Sequence, residues 1–293
     1  MQLFERTFGD WDIAAAPSLG GALLACRFRG RNVLRDAVGA IMGGAAVTEA
    51  AAYPMVPFCG RISMGRFAFA GANYQLAPNF SPEPHAIHGT GWQSGWAVRA
   101  CADGLSMELV DETLRWPWPF MAGQTFRFLG NRLSLELSVT NLAEHTMPAG
   151  LGWHPFFPVD GAALEAATGE VWARHVDAGN PPMAGAPDAG RDPAKRLDME
   201  AVELDHTFTW CAPTARIEYP VRGMAFDLAA SPNARFLTVF RPQNGRSFCV
   251  EPLSHLPEAL NTLQPAALGT AALAPGKSLT LTIDLSVTLT DRP

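Results

Sequence analysis

Charge, paired sulfur and helical periodicity are all scarce in this 293-residue chain. Only 17% of the residues are charged, and 28 Asp and Glu outnumber 22 Lys and Arg, for a net charge of -6. Without a basic excess, neither nucleic acid nor an anionic membrane is an expected partner. The five cysteines (Cys26, Cys59, Cys101, Cys211, Cys249) are odd in number, scattered, and form no Cys-x-x-Cys. That pattern suits neither a disulfide framework nor a zinc knuckle. The N-terminus has no basic region followed by an apolar one, so a cytoplasmic location is expected. The longest run of apolar and small residues, Ala37 to Val47, is too short to span a bilayer and predicts a buried strand and its turn. No fixed-period repeat and no long amphipathic helix is visible; His255 to Asn261 suits one helical turn.

What is abundant is apolar residues and turn formers. Hydrophobic residues make up 48% of the chain, with 27 glycines and 24 prolines. Period two dominates: Leu133, Leu135, Leu137 and Val139 alternate with Ser134, Glu136 and Ser138, and Leu279 to Leu289 alternates likewise with Thr, Asp and Ser. One apolar and one wet face is the mark of antiparallel strands over a core. Shorter runs at Arg66 to Ala70, Ser106 to Val110, Thr125 to Leu129, Phe236 to Phe240 and Ser247 to Glu251 read the same way. The expectation is an all-β fold, a large antiparallel β-sandwich, built as one domain over residues 1–293. Asp177 to Arg196, crowded with Pro, Gly, Ala and Asp, reads either as a rim of the site or as a surface excursion.

Chemistry-bearing residues stand in three distant places: His88-Gly89-Thr90-Gly91-Trp92, Gly152-Trp153-His154-Pro155, and Val250-Glu251-Pro252. They suggest loops or strand ends converging on one site. Glu251 ends an apolar run, and partial desolvation raises an acid toward the range of a general base. Pro155 forces extended backbone at His154 and removes the next amide donor, so that imidazole is held stiffly, as a proton donor should be. Alone, each also fits a structural role, an edge glutamate or a core histidine bonded to a carbonyl. His85 and His88 would share a metal only on a helix, which Pro82, Pro84 and Gly89 oppose, so no metal ligand set is expected. Trp92, Trp96, Trp116, Trp118 and Trp153 offer rings that can pack on the C–H faces of a pyranose.

Taken in order, Val56-Pro57-Phe58-Cys59-Gly60-Arg61-Ile62, His88-Gly89 with Trp96, Gly150-Leu151-Gly152-Trp153-His154-Pro155-Phe156-Phe157, Leu204-Asp205-His206-Thr207-Phe208, and Glu251-Pro252 with Pro257 and Asn261 resemble the aldose 1-epimerase (galactose mutarotase) family. The resemblance implies a large antiparallel β-sandwich with an open sugar cleft and no cofactor. It implies Glu251 as the base at the anomeric hydroxyl and His154 as the acid at the ring oxygen. His88, Asp205 and Arg61 match residues that bind sugar hydroxyls; Trp92 is expected as a substrate-binding ring from its aromatic face and its place beside His88, not from the resemblance. Gly60 stands where the family often has Asn, which leaves one hydroxyl contact in doubt.

Independently, ionised Glu and protonated His coexist over roughly two pH units by their reference values, and Asp205 nearby would widen that window. Such a pair can open a sugar ring to the aldehyde and reclose it on the other face. The alternatives are a hexose-6-phosphate 1-epimerase, for which Arg61, Arg66 and Arg99 would supply cations, a glycoside hydrolase using Glu251 and Asp205, and a silent sugar-binding protein. The partner is a small sugar, and the sequence admits a homodimer.

Overall fold

A computed structural model describes residues 3–99, 101, 103–172 and 183–290. The architecture is carried by β1 (Phe4–Phe8), β2 (Trp11–Ala16), β3 (Ala22–Phe28), β4 (Ala52–Met55), β5 (Gly104–Asp111), β6 (Phe120–Leu129), β7 (Arg132–Asn141), β8 (Gly152–Pro158), β9 (Ala163–Trp172), β10 (Leu204–Tyr219), β11 (Met224–Ala230), β12 (Phe236–Arg241), β13 (Ser247–Leu253) and β14 (Ser278–Leu289). The two longest alternating runs pair with each other. On β7 and β14, Leu133 lies opposite Leu285, Leu135 opposite Ile283 and Leu137 opposite Leu281. All six are at most 1% exposed, each worth about 1.5–3 kcal/mol of burial. Ser134 and Asp284 meet on the wet face, hydroxyl to carboxylate.

Pairing runs through two layers. One is β1-β2-β3-β4-β8-β13-β12-β10. The other is β10-β11-β14-β7-β6-β5, and every one of these pairings is antiparallel. The 16-residue β10 belongs to both: Leu204 to Thr209 pairs with β12, and Thr214 to Tyr219 with β11. The expected all-β sandwich is what forms.

Alternation within the first layer decides where function goes. Trp153 and Phe157 of β8, with Phe248 and Val250 of β13, enter the main core. Successive side chains of a strand point to opposite faces, so His154 and Phe156, with Cys249 and Glu251, take the other face of the sheet.

One expectation fails. Ala37 to Val47 is not a buried strand: Val38–Met42 is a short helix, α1, and Val47–Glu49 a 3-10 turn. The run has no period-two alternation, its Ala and Met favour helix, and Asp36 accepts a hydrogen bond from the Val38 N–H at 3.1 Å. Gly44, at φ 94°, ends the element. The single turn expected within His255 to Asn261 is present at Ala259–Asn261. Of Asp177 to Arg196, residues 177–182 lie outside the described residues; the remainder pairs Ala184–Gly185 with the end of β9 and then forms two 3-10 turns. Among the described residues no helix is long and apolar enough to cross a membrane.

Candidate active site

Five adjacent strands lay a row of side chains across the outer face of the first layer. Tyr53 on β4 is opposite His154 on β8, and Glu251 on β13 is opposite Thr238 on β12, which is opposite Thr207 on β10. The β8–β13 ladder joins Gly152 to Leu253 and Phe156 to Cys249 but is interrupted between them, where Pro155 and Pro252 have no N–H to give. His154 and Glu251 face each other across that gap, with Nε2 and Oε1 3.3 Å apart. Both are therefore mid-strand residues, not the loop or strand-end residues expected from sequence.

Rings wall the pair in. The His154 imidazole packs against Tyr53 at 4.6 Å and Phe156 at 4.7 Å, and His88 meets it edge-on at 5.4 Å. Trp92 packs 5.7 Å from Tyr53 and donates its indole N–H to the Ile87 carbonyl. Together with Arg61, Asp205, Phe240 and Trp172 these residues line one cleft of about 420 Å³.

His88 arrives from a turn that the backbone fixes tightly. His88 and Gly89 both have positive φ, 59° and 73°, and a Cβ on Gly89 would lie 2.0 Å from the Val56 carbonyl oxygen, so only glycine fits. The His88 N–H donates to the Gly60 carbonyl at 2.8 Å, and the Gly60 N–H donates back to His88 Nδ1 at 3.2 Å. With Nδ1 accepting, the ring's remaining proton is on Nε2. Gly60 has its own reason to lack a side chain, since a Cβ there would lie 2.5 Å from the Pro257 ring.

The profile of the Aldose 1-epimerase family matches residues 13–286. The chain belongs to the aldose 1-epimerase family. It is 32% identical over 254 residues to the uncharacterized protein YphB of Escherichia coli K12, covering 82% of this chain and 84% of the other. The fold superposes on a candidate aldose 1-epimerase from Escherichia coli K12 with a TM-score of 0.88 at 26% identity, covering 98% of this chain and 99% of that one. A galactose mutarotase-like protein from Clostridium acetobutylicum shares the fold at a TM-score of 0.82 and 17% identity, over 99% of both chains.

In this aldose 1-epimerase family member, burial dominates the electrostatics. It holds Glu251 well above the ordinary carboxylate range, Asp205 adds repulsion, and Arg61 opposes both. It holds His154 well below an ordinary imidazole, assisted by His88 and Arg35. His88 is pushed down to about 3 by burial and then by Arg61. The expectation that Asp205 raises His154 is thus corrected: Asp205 acts on Glu251, and desolvation keeps His154 neutral. Between the acid and alkaline limits the pair carries one proton, and burial favours its uncharged form, protonated Glu251 beside neutral His154.

All six sequence-predicted residues, Glu251, His154, Arg61, His88, Asp205 and Trp92, line the cleft. His85 does not pair with His88; its Nδ1 accepts from the Met64 N–H and its Nε2 lies 3.7 Å from Glu83. Trp116 stacks on Phe67 and Trp118 packs at a tilt against Tyr74 in the core, and Trp153 is fully buried. None of the described residues of the 177–196 stretch lines the cleft.

Sequence reasoning missed Tyr53, Phe156, Thr207, Thr238 and Arg35. A signal existed for the first: Tyr53-Pro54 repeats the pattern of His154-Pro155 and Glu251-Pro252, three residues of one row each followed by proline. Arg35 stacks on Phe156 at 3.5 Å and donates to the carbonyls of Ala50 and Thr48. His255 was missed as well; its Nε2 accepts from the Cys59 N–H at 3.1 Å, and burial pushes it down to about 4.

Proposed function

We propose that the protein interconverts the α and β anomers of a free aldose by opening and reclosing the ring, with Glu251 and His154 as the proton-transfer pair. The observation that carries this reading is their 3.3 Å contact on the floor of a ring-lined cleft. Glu251 as carboxylate takes the proton of the anomeric hydroxyl while His154 as imidazolium gives one to the ring oxygen, and the C1–O5 bond breaks to leave an aldehyde. The pair is then protonated Glu251 and neutral His154, the form that burial favours. Rotation about C1–C2 and the reverse transfers on the other face complete the exchange. The two tautomers of one singly protonated pair are thus the two halves of the cycle, and no proton need come from bulk water.

The neighbours fit auxiliary roles. His88, with its proton on Nε2, offers a neutral donor to a sugar oxygen, Asp205 an acceptor, Arg61 a charged donor, and Trp92 an apolar ring. The Thr207 and Thr238 hydroxyls, 2.7 Å apart, extend the polar strip.

A 6-phosphate sugar is the less suitable substrate. Besides protonated Glu251, three acidic side chains line the cleft, those of Glu49, Asp205 and Glu258, against two guanidiniums, Arg35 and Arg61. Arg35 was not foreseen, but its donors serve backbone carbonyls. Arg66 and Arg99 do not line the cleft; they bond to Gln75 and Glu108.

The test is a double-mutant cycle on anomer exchange. Glu251→Gln and His154→Gln should each lower the rate by at least roughly a hundredfold, and the double variant should be little worse than either, because both groups serve one event. Additive losses would mean independent roles and would count against the pair.

A further inference from the structure

We propose that the His154–Glu251 pair on the floor of the cleft, together with the fully buried Cys249 beside it, also binds a soft divalent cation, Zn2+ above all, through His154 Nε2, Cys249 Sγ and the Glu251 carboxylate, and that the bound ion inhibits the protein by occupying its proton-transfer pair. Cys249 has no part in the acid–base reading. It stands two residues before Glu251 on the same face of β13, opposite Phe156 of β8. One ligand atom from each of the three residues lies within 4.8 Å of the other two, and all three side chains are buried.

The spacing suits a tetrahedral ion. Two nitrogen or oxygen ligands about 2.0–2.1 Å from zinc stand roughly 3.3–3.4 Å apart, and a sulfur at about 2.3 Å stands roughly 3.5 Å from each. The His154–Glu251 contact of 3.3 Å already has that separation. From separations within 4.8 Å, the thiol has to close by at most about 1.3 Å, a movement of the size that rotation about χ1 provides. His, Cys and one carboxylate form a set that selects zinc or copper over magnesium or calcium. With three protein ligands, the fourth position is left to water or a sugar hydroxyl from the cleft.

Charge balance favours the exchange. A thiol, a carboxylic acid and a neutral imidazole have no net charge; one Zn2+ replacing the thiol and carboxyl protons leaves none either. The two protons go to solvent, and the buried floor takes on no net charge. Among the described residues, however, no other residue offers His154 Nδ1 a hydrogen-bond partner. A resident metal's histidine is normally held by an acceptor at that atom, so this is an exchangeable, inhibitory site and not that of a permanent cofactor.

The experiment uses the full chain with Cys101 and Cys211, the two cysteines not buried, replaced by Ser. Titration with Co2+ should give a thiolate-to-cobalt charge-transfer band that saturates at a single equivalent, is discharged by Zn2+, and vanishes in Cys249→Ser and in His154→Gln. In parallel, Zn2+ but not Mg2+ should inhibit anomer exchange. Cys249→Ser should keep its metal-free exchange and need at least about tenfold more Zn2+ for the same inhibition. Absence of the band, or zinc inhibition unchanged by Cys249→Ser, overturns the proposal. If Cys249→Ser does not fold, the band and its loss in His154→Gln decide. The cobalt titration contains no sugar, so its outcome is separate from that of the epimerase reading.

Discussion

Acidifying the protein from pH 6.5 to 4.5 should weaken its fold, by up to roughly 3 kcal/mol per pH unit. The unfolded chain protonates His88, His154 and His255 below about pH 6.5. In the fold, burial holds His88 at about 3, His255 at about 4 and His154 well below its ordinary value. Glu251 works in the opposite sense: its raised value keeps a proton in the fold that the unfolded chain has released. The unfolded state therefore binds two more protons in this window, and stability falls with pH. Above pH 6.5 only the Glu251 effect remains, so stability should decline as pH rises, with a maximum near pH 6.5. Half-buried His206, also lowered by burial, adds a fraction on the acid side. Urea unfolding followed by tryptophan fluorescence at half-unit steps measures the slope, and His88→Asn or His255→Gln should each remove one proton from it. A flat profile between pH 4.5 and 6.5, or a slope indifferent to both substitutions, would refute the reasoning.

Anomer exchange should stay level across neutral pH, because burial resists both a second proton on His154 and loss of the last one from Glu251; a descending limb centred near pH 6.5, as a free imidazole would give, contradicts this. Free aldohexoses should have higher specificity constants than their 6-phosphates, and a preference of more than about tenfold, or 1.4 kcal/mol, for a phosphate would reverse the substrate assignment. Exchange should also persist after a strong chelator and after alkylation of accessible thiols. Loss of rate restored by added metal would refute that expectation.

Legibility from sequence followed solvation. β7 and β14 alternate because one face of each is polar, and their bounds are readable to within a residue of Arg132–Asn141 and Ser278–Leu289. β8 is buried at every position, so no period marks it and only the Trp153-His154-Pro155 motif points there. Pairing across strands that are distant in sequence was invisible, which hid the Tyr53, His154, Glu251, Thr238 and Thr207 row and the approach of Cys249. The sign of the His154 shift was misread for a related reason. The two side chains that lower it further, His88 and Arg35, are far away in the chain, and burial, the largest cause, acts in the same direction.

The central claim is that Glu251 shuttles the anomeric proton. Its most direct measurement is anomer exchange of glucose and galactose by NMR, with calorimetric sugar binding alongside, for the wild type and Glu251→Gln. The substitution keeps the side chain's shape and removes its basic oxygen. The account predicts accelerated exchange in the wild type, and in the variant a loss of at least roughly a hundredfold with sugar binding much less affected. Near-wild-type exchange in Glu251→Gln would contradict the mechanism, and sugar binding without accelerated exchange in the wild type would make the protein a silent sugar binder.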